Sequence, residues 1–185
     1  MGGLLRSPRA GAWRLLFLAL AWLGPALAQA QSPTEVSVKA AFLYKFAGYV
    51  DWPPPSLPGL DTPYVIGVMG ADDVAAELER LTAGRQVNGR RVIVRRIADL
   101  ATAREVHILF AGRNEARLRE VMRSLQRTPV LTVTDADGGL EAGAVVALLR
   151  VGDHVGFEVS SVAAERAGLA ISSRMLGVAR RVVTG

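Results

Sequence analysis

The sequence predicts an α/β fold, a three-layer sandwich in which a mostly parallel sheet carries helices on both faces. Apolar runs of strand length, such as 64–69 and 129–134, alternate along the chain with amphipathic helical patterns. These runs are apolar throughout, which is typical of strands that are covered on both faces of a parallel sheet. Two later apolar segments, 144–151 and 154–159, are separated by Gly152-Asp153 and predict a C-terminal antiparallel hairpin.

Residues 1–30 have the pattern of a cleavable signal peptide. Three arginines precede a short apolar run, Gly24-Pro25 breaks the run, and small residues follow. Ala26-Leu27-Ala28 and Ala28-Gln29-Ala30 are both small-x-small sites, so we expect cleavage after Ala28 or Ala30. The alternative is an uncleaved anchor, but the apolar run is shorter than the roughly 20 residues that a membrane-spanning helix needs.

Residues 31–185 are expected to form a single domain. Without segment 1–30 the chain keeps 19 of its 22 basic residues against 17 acidic ones, so its basicity is largely a targeting signal. The chain contains no cysteine, which excludes disulfides and thiol chemistry. Its two histidines, His107 and His154, lie in separate apolar runs, so no metal site rich in histidine is expected.

The first helix is predicted from Pro33 to about Val50. Ser32-Pro33-Thr34-Glu35 has the form of a capping box with proline at the first helical position. The helix must stop at Trp52, because Pro53-Pro54-Pro55 favours an extended polyproline segment and restricts the residue before it. Helical spacing places three of its aromatic residues on the face that packs against the sheet, namely Phe42, Phe46 and Tyr49, and Tyr44 on the opposite side.

Strands and helices then alternate to the end of the chain. The predicted strands before the hairpin are 64–69, 91–97, 106–110 and 129–134. The predicted helices are one that starts at Asp72 and ends at Gly84, one around Leu118–Leu125, one capped by Ser160, and a last one capped by Ser172 or Ser173. The last helix is expected to continue to Val182, since Met175, Val178, Ala179 and Val182 fall at helical spacing.

No motif in the chain predicts catalysis, a cofactor or a metal ion. The turn 67–73 follows a strand but lacks the Gly-x-Gly-x-x-Gly spacing of phosphate-binding turns. The loop that starts at Asp135 lacks the carboxylates of a calcium loop at its fifth and twelfth positions. No serine has the flanking glycines of a nucleophile elbow. Arginines of segment 113–127 alternate with glutamates, so we expect a solvated face and no nucleic-acid partner.

Two segments together resemble the YfiR/HmsC group of periplasmic regulators. They are AAFLYKFAGYVDWPP at 40–54 and GFEVSSVAAERAGLAISSRMLGVARRV at 156–182, and YVIGVMG, VNGRRV, VHILFAG and PVLTVTD lie between them in the order of that group. The resemblance spans Val36 to Val183. It implies a homodimeric, non-enzymatic inhibitor that binds the periplasmic sensor domain of an inner-membrane diguanylate cyclase and so represses cyclic di-GMP synthesis and biofilm formation. It also implies release by envelope stress or by an outer-membrane lipoprotein partner.

The chain departs from the best-known member of that group, which carries cysteines that form disulfides. Disulfide-based redox control is therefore excluded here. Other members of the group accompany different membrane receptors. A small-ligand binding module that serves another receptor, with its site at the strand ends near Gly70, is the alternative function.

Six residues are candidates for partner binding. Trp52 and Pro53 lie where the first helix gives way to a rigid segment, and rigid aromatic residues at such rims often anchor interfaces. Tyr44 joins them from the outer side of the helix. The alternative for Trp52 is that it covers the end of the core. Phe157, Glu158 and Arg174 form the second group, because strand 154–159 is predicted at the sheet edge, where partners or a second copy dock. A surface ion pair between Glu158 and Arg174 is the alternative there.

Overall fold

Ten strands and five α-helices follow one another in the residues that the computed structural model describes, 34–59 and 61–185. The helices are α1 (Glu35–Phe46), α2 (Asp72–Thr82), α3 (Leu118–Leu125), α4 (Ser161–Arg166) and α5 (Ser173–Val178). The strands are β1 (Val50–Asp51), β2 (Tyr64–Met69), β3 (Gln86–Val87), β4 (Arg90–Arg96), β5 (Ile108–Ala111), β6 (Leu131–Thr134), β7 (Val146–Val151), β8 (His154–Ser160), β9 (Ala170–Ile171) and β10 (Arg181–Val183). The predicted signal peptide, and Ser32-Pro33 of the predicted capping box, lie outside the described residues.

Eight strands form one sheet, in the order β10-β8-β7-β6-β5-β2-β4-β3. Neighbouring strands from β4 to β7 run parallel, as do β8 and β10, whereas β3–β4 and β7–β8 are antiparallel. The predicted hairpin is the β7–β8 pair, with Leu148 opposite Phe157. The predicted three-layer α/β sandwich with a mostly parallel sheet and a C-terminal hairpin is confirmed.

The two faces of the sheet are covered by different helices. Leu43 and Phe46 of α1 and Leu78 of α2 share a core with Ile66 and Phe110. Successive residues of a strand point to opposite faces, so the residues next to Ile66 and Phe110 pack on the other face of the sheet. They are Val65 and Leu109, which pack with Val121 and Leu125 of α3. The continuous apolar runs seen in the sequence therefore serve two cores at once.

Several helix ends follow the signals in the sequence. The Ser160 hydroxyl oxygen accepts a hydrogen bond from Ala163 N–H at the start of α4. The Ser172 hydroxyl oxygen accepts one from Arg174 N–H at the start of α5. Gly84 has a φ of 68° just after α2, a conformation that glycine adopts without steric cost. These three predictions are confirmed.

Helix α1 is shorter than predicted. It begins after Thr34, whose hydroxyl oxygen accepts a hydrogen bond from Ser37 N–H, and it ends at Phe46 rather than near Val50. The chain turns there because Val50 and the next residue form β1, which pairs antiparallel with β9. Tyr49 consequently lies outside the helix and is 39 % exposed, so its predicted place in the core was wrong.

The sequence predicted strand 154–159 at the edge of the sheet, and this prediction was wrong, because β8 has a neighbour on each side. β10 pairs with it in parallel, with Arg181 opposite Glu158, and Arg180 N–H donates a hydrogen bond to Phe157 O at 2.9 Å. The predicted last helix through Val182 was also wrong, since α5 ends at Val178. A strand of three residues is too short to show an apolar period of its own, so the sequence pattern could not separate it from the helix before it.

Candidate functional site

The two signature segments of the sequence meet in the folded chain. β1 belongs to the first segment and β9 to the second, and they pair with Val50 opposite Ile171. Beside this pair, Ser172 N–H donates a hydrogen bond to Tyr49 O at 2.9 Å. The rings of Phe42 and Phe46 lie 5.3 and 5.2 Å from the ring of Phe157. The two ends of the domain therefore form one structural unit, held by backbone pairing and aromatic packing.

Apolar side chains reach the surface at this unit. Among the described residues, the large apolar side chains that stand out by their exposure are Tyr49, at 39 %, and Val178, at 71 %. Ile171 and Leu176 are half-buried and line a shallow groove. We call Tyr49, Ile171, Leu176 and Val178 the β1–β9 surface. Tyr49 directly precedes β1, Ile171 belongs to β9, and Leu176 and Val178 belong to α5, which follows β9.

Trp52 directly follows β1 and lies in the core. Its side chain is 9 % exposed, and its indole Nε1–H donates a hydrogen bond to His107 O at 3.2 Å. Its ring centroid is 5.5 Å from that of Tyr64 and 6.0 Å from that of His107. This placement agrees with the alternative interpretation of Trp52, in which its side chain covers the end of the core.

His107 is held by both ring nitrogens. Val65 N–H donates to Nδ1 at 3.0 Å, so the proton of the neutral ring lies on Nε2, which donates to Ser56 O at 3.0 Å. Burial lowers the pKa of His107, and the nearby Arg90 charge lowers it further, against the opposing effect of the Ser56 carbonyl. His107 therefore acts as a neutral structural link between β2, β5 and the proline-rich turn at Pro54–Ser56.

The pH dependence of stability should report this burial. An unfolded histidine takes up a proton near pH 6.5, whereas folded His107 resists protonation, so acid favours unfolding. Urea unfolding at pH 7.5 and 5.5 should show a loss of stability in the wild-type protein and a smaller loss in His107→Gln. His154→Gln, which changes an exposed histidine, is the control and should behave like the wild type. An equal loss in the His107 variant would contradict this assignment.

A cluster of charged side chains lies at the carboxyl ends of the parallel strands, and no sequence motif predicted it. Lys39 of α1 is buried and its Nζ lies 2.6 Å from Asp135 Oδ2 and 2.5 Å from Glu35 Oε1. Arg113 follows β5 and contacts the same two carboxylates, with Nε 3.0 Å from Asp135 and Nη2 3.0 Å from Glu35. We call Glu35, Lys39, Arg113 and Asp135 the strand-end cluster. Two sequence signals could have indicated it. They are a lysine among the apolar residues of the first helix and an aspartate directly after an apolar strand.

The positive charges of this cluster keep its two carboxylates ionised. Burial acts to raise the pKa of Asp135, but Lys39 and Arg113 outweigh it and hold the pKa below its usual value. The pKa of Glu35 is lowered too, chiefly by its hydrogen bond to Lys39. In the described part of the chain, no group of three or more acidic or histidine side chains could hold a metal ion. The cluster is therefore an ion-pair network that ties α1 to the ends of β5 and β6.

Comparison with known families decides where this fold belongs. The sequence profile of the YfiR/HmsC-like family matches residues 36–180. The chain belongs to this family. The YfiR/HmsC-like family comprises periplasmic regulators that work in cyclic di-GMP signalling, which implies a signalling partner. The family is regulatory and not enzymatic.

The matched residues contain both signature segments almost entirely. They include β1, β9, the strand-end cluster from Lys39 onward and the whole β1–β9 surface, and they end just before β10. A crystal structure of a conserved domain protein from Vibrio cholerae O1 biovar eltor has a similar fold, with a TM-score of 0.56 at 13 % identity. The similarity covers 80 % of this chain and 60 % of the Vibrio cholerae chain, so this chain spans less than two thirds of that protein's length. At this identity the likeness shows the fold alone.

Among curated proteins, none matches the chain. No helix in residues 34–59 or 61–185 has the length and apolar character needed to cross a membrane.

The six candidate residues occupy different environments in this YfiR/HmsC-like fold. Pro53 is half-buried and Arg174 is exposed, and both lie within three residues of the paired strands β1 and β9. Tyr44 is half-buried, and its hydroxyl donates to Gln86 O at 2.9 Å. Phe157, at 3 % exposure, belongs to the core.

Glu158 pairs with Arg181 at 2.5 Å, so the alternative that it pairs with Arg174 was wrong. The structure thus places Trp52, Pro53 and Arg174 around β1 and β9 and places Glu158 on β8 beside β10. A role of these residues in partner binding stays a prediction.

Proposed function

We propose that this chain is a periplasmic negative regulator that binds the periplasmic sensor domain of an inner-membrane diguanylate cyclase and represses cyclic di-GMP synthesis. The family match over residues 36–180 carries the proposal. The proposed mature form is a single domain of residues 31–185, exported by a signal peptide that is cleaved after Ala28 or Ala30. It acts as a homodimer, and an outer-membrane lipoprotein is its second partner.

The β1–β9 surface is the proposed docking site for the cyclase. Its exposed apolar groups come from both signature segments, so the partner would contact the part of the fold that the family shares. β1 and β9 form a two-stranded sheet separate from the main one, and a short separate sheet leaves backbone groups free for pairing. Pro53 and Arg174 lie within three residues of this sheet, and Trp52 follows β1 directly with its side chain in the core.

Substitution of Tyr49 tests this docking site. Tyr49→Arg places a charge at the centre of the proposed contact and should weaken binding to the cyclase sensor domain at least about tenfold, as expected for a central aromatic anchor. Thermal unfolding should change little, because the side chain is already 39 % exposed. The measurement is calorimetry with the purified sensor domain.

The matched control adds the same charge elsewhere. Ala116→Arg changes an exposed residue just before α3, the helix on the face of the sheet opposite to α1 and α2. This variant should bind the sensor domain like the wild type. Equal binding by the Tyr49 variant and this control would refute the β1–β9 surface as the docking site.

A small-ligand module that serves another receptor is the second candidate function. One observation favours it, an open cavity of about 320 Å³ at the carboxyl ends of β2 and β5, lined by Gly70, Gly112 and Arg113. Such crevices are where open α/β sheets bind ligands. If this function holds, calorimetry should show saturable binding of an envelope-derived metabolite. Calorimetry with the cyclase sensor domain should then show no binding.

A further inference from the structure

The strand β6 ends well before its neighbour β7. The two strands pair through Val133 with Val146 and Thr134 with Ala147. β7 continues to Val151 and pairs with β8 on its other side, while the chain leaves the sheet at Asp135. Among the described residues, 148–151 therefore have no strand partner on the side where β6 would continue. Alternate residues of a strand direct their N–H and C=O groups toward each edge, so this edge offers unpaired backbone groups.

An open cavity of about 430 Å³ adjoins this part of β7, and its lining also includes Glu158 of β8 and Arg181 of β10. Ala147, Leu148, Leu149 and Arg150 of β7 form one wall, and the loop 135–141 forms another. The volume lies in the range of roughly 300–1,000 Å³ that is typical of ligand pockets. The free edge of β7 thus lies in a recess between β7 and this loop, and the recess is open to solvent.

Charged groups of opposite sign lie toward the two ends of this edge. At the far end, Arg150 Nε donates to Gly152 O at 3.1 Å and Nη1 lies 3.7 Å from Glu35, which leaves other guanidinium donors of this side chain available. Its side chain is 67 % exposed. At the loop end, Asp137 and Glu141 line the cavity, and neither carboxylate makes an ion pair with another described residue.

We propose that this cavity binds a short peptide in an extended conformation, parallel to β7. The backbone of the peptide pairs with residues 148–151, its ammonium group faces Asp137 and Glu141, and its carboxylate contacts Arg150. At about 3.3 Å per residue, this edge accommodates three or four peptide residues. Main-chain pairing supplies affinity that depends little on the side chains of the peptide, as in other strand additions.

This site is independent of the proposed cyclase regulation. None of its lining residues belongs to the β1–β9 surface, so loss of peptide binding and loss of cyclase binding would be separate results. A peptide bound here would contact the strand-end cluster, because Lys39, Arg113 and Asp135 line the same cavity.

Calorimetry with unblocked trialanine tests the proposal on the full domain. We expect saturable binding of one peptide per chain. N-methylation of the central amide should weaken binding about tenfold, since it removes a backbone donor that pairs with the strand edge. Amidation of the carboxyl end should weaken binding to the wild type by about tenfold and to Arg150→Ala by less than about twofold, because the carboxylate no longer has its partner.

Arg150 is exposed, so Arg150→Ala should fold, and circular dichroism checks this. The control Ala116→Arg should bind all of the peptides like the wild type. Absence of saturable binding of trialanine would overturn the proposal. It would also be overturned by an N-methylated peptide that binds as well as the parent, or by amidation that weakens both proteins equally.

Discussion

Replacement of Trp52 by alanine is expected to lower the free energy of unfolding by about 3–5 kcal/mol, as truncation of a large buried aromatic residue does. The indole packs against Tyr64 and His107 and is 9 % exposed, so its removal leaves a cavity at the end of the core. The His107 carbonyl also loses the donor that the indole N–H supplies. Urea unfolding at neutral pH measures the change.

Trp52→Phe is the matched variant for this test. It keeps most of the ring packing and removes the hydrogen bond, so we expect a loss of about 1–2 kcal/mol. The result that would contradict the core role is a Trp52→Ala protein of unchanged stability that no longer binds its partner. That outcome would restore Trp52 as a direct interface residue.

Asp135→Asn should destabilise the fold by about 3 kcal/mol. Removing one partner of a buried ion pair leaves the other charge buried without full compensation, which usually costs about 3–5 kcal/mol. Lys39 and Asp135 side chains are 8 % and 7 % exposed, and Lys39 would keep only its contact with Glu35, so we expect the lower end of this range. Glu79→Gln, which breaks the half-exposed contact with Arg96, is the control and should change stability little.

The difference between Asp135→Asn and the wild type should depend on pH in a defined way. The pKa of Asp135 is lower in the folded chain than its ordinary value of about 3.9, so its contribution is fully present above that value. The contribution is lost as the pH falls through the lower folded value. Unfolding curves should therefore show a constant gap between the two proteins from about pH 5 to 8 and a smaller gap below about pH 4. A gap that widens in acid would contradict the ion-pair assignment.

The sequence predicted those elements that carry long local patterns. The central strands β2 and β6 and the helices α2 and α3 were found because apolar runs and helical periods extend over several residues. By contrast, β1, β9 and β10 have two or three residues each, and pairing with a distant segment defines them. Tertiary pairing thus decided the end of α1 and the true edge of the sheet.

The candidate sites show the same division. The two signature segments were visible in the sequence, but their meeting at β1 and β9 became visible only in the fold. Trp52 before a proline run suggested a rim, while its contacts with Tyr64 and His107 place it in the core. Lys39 and Asp135 are 96 positions apart, so no local pattern could pair them.

Cellular cyclic di-GMP provides the most direct test of the cyclase proposal. It should be measured in the native bacterium, in a strain with this gene deleted, and in that strain complemented with the wild type, Tyr49→Arg or Ala116→Arg. We expect the level to rise on deletion and to return with the wild type and Ala116→Arg but not with Tyr49→Arg. An unchanged level on deletion would contradict regulation of a diguanylate cyclase by this protein.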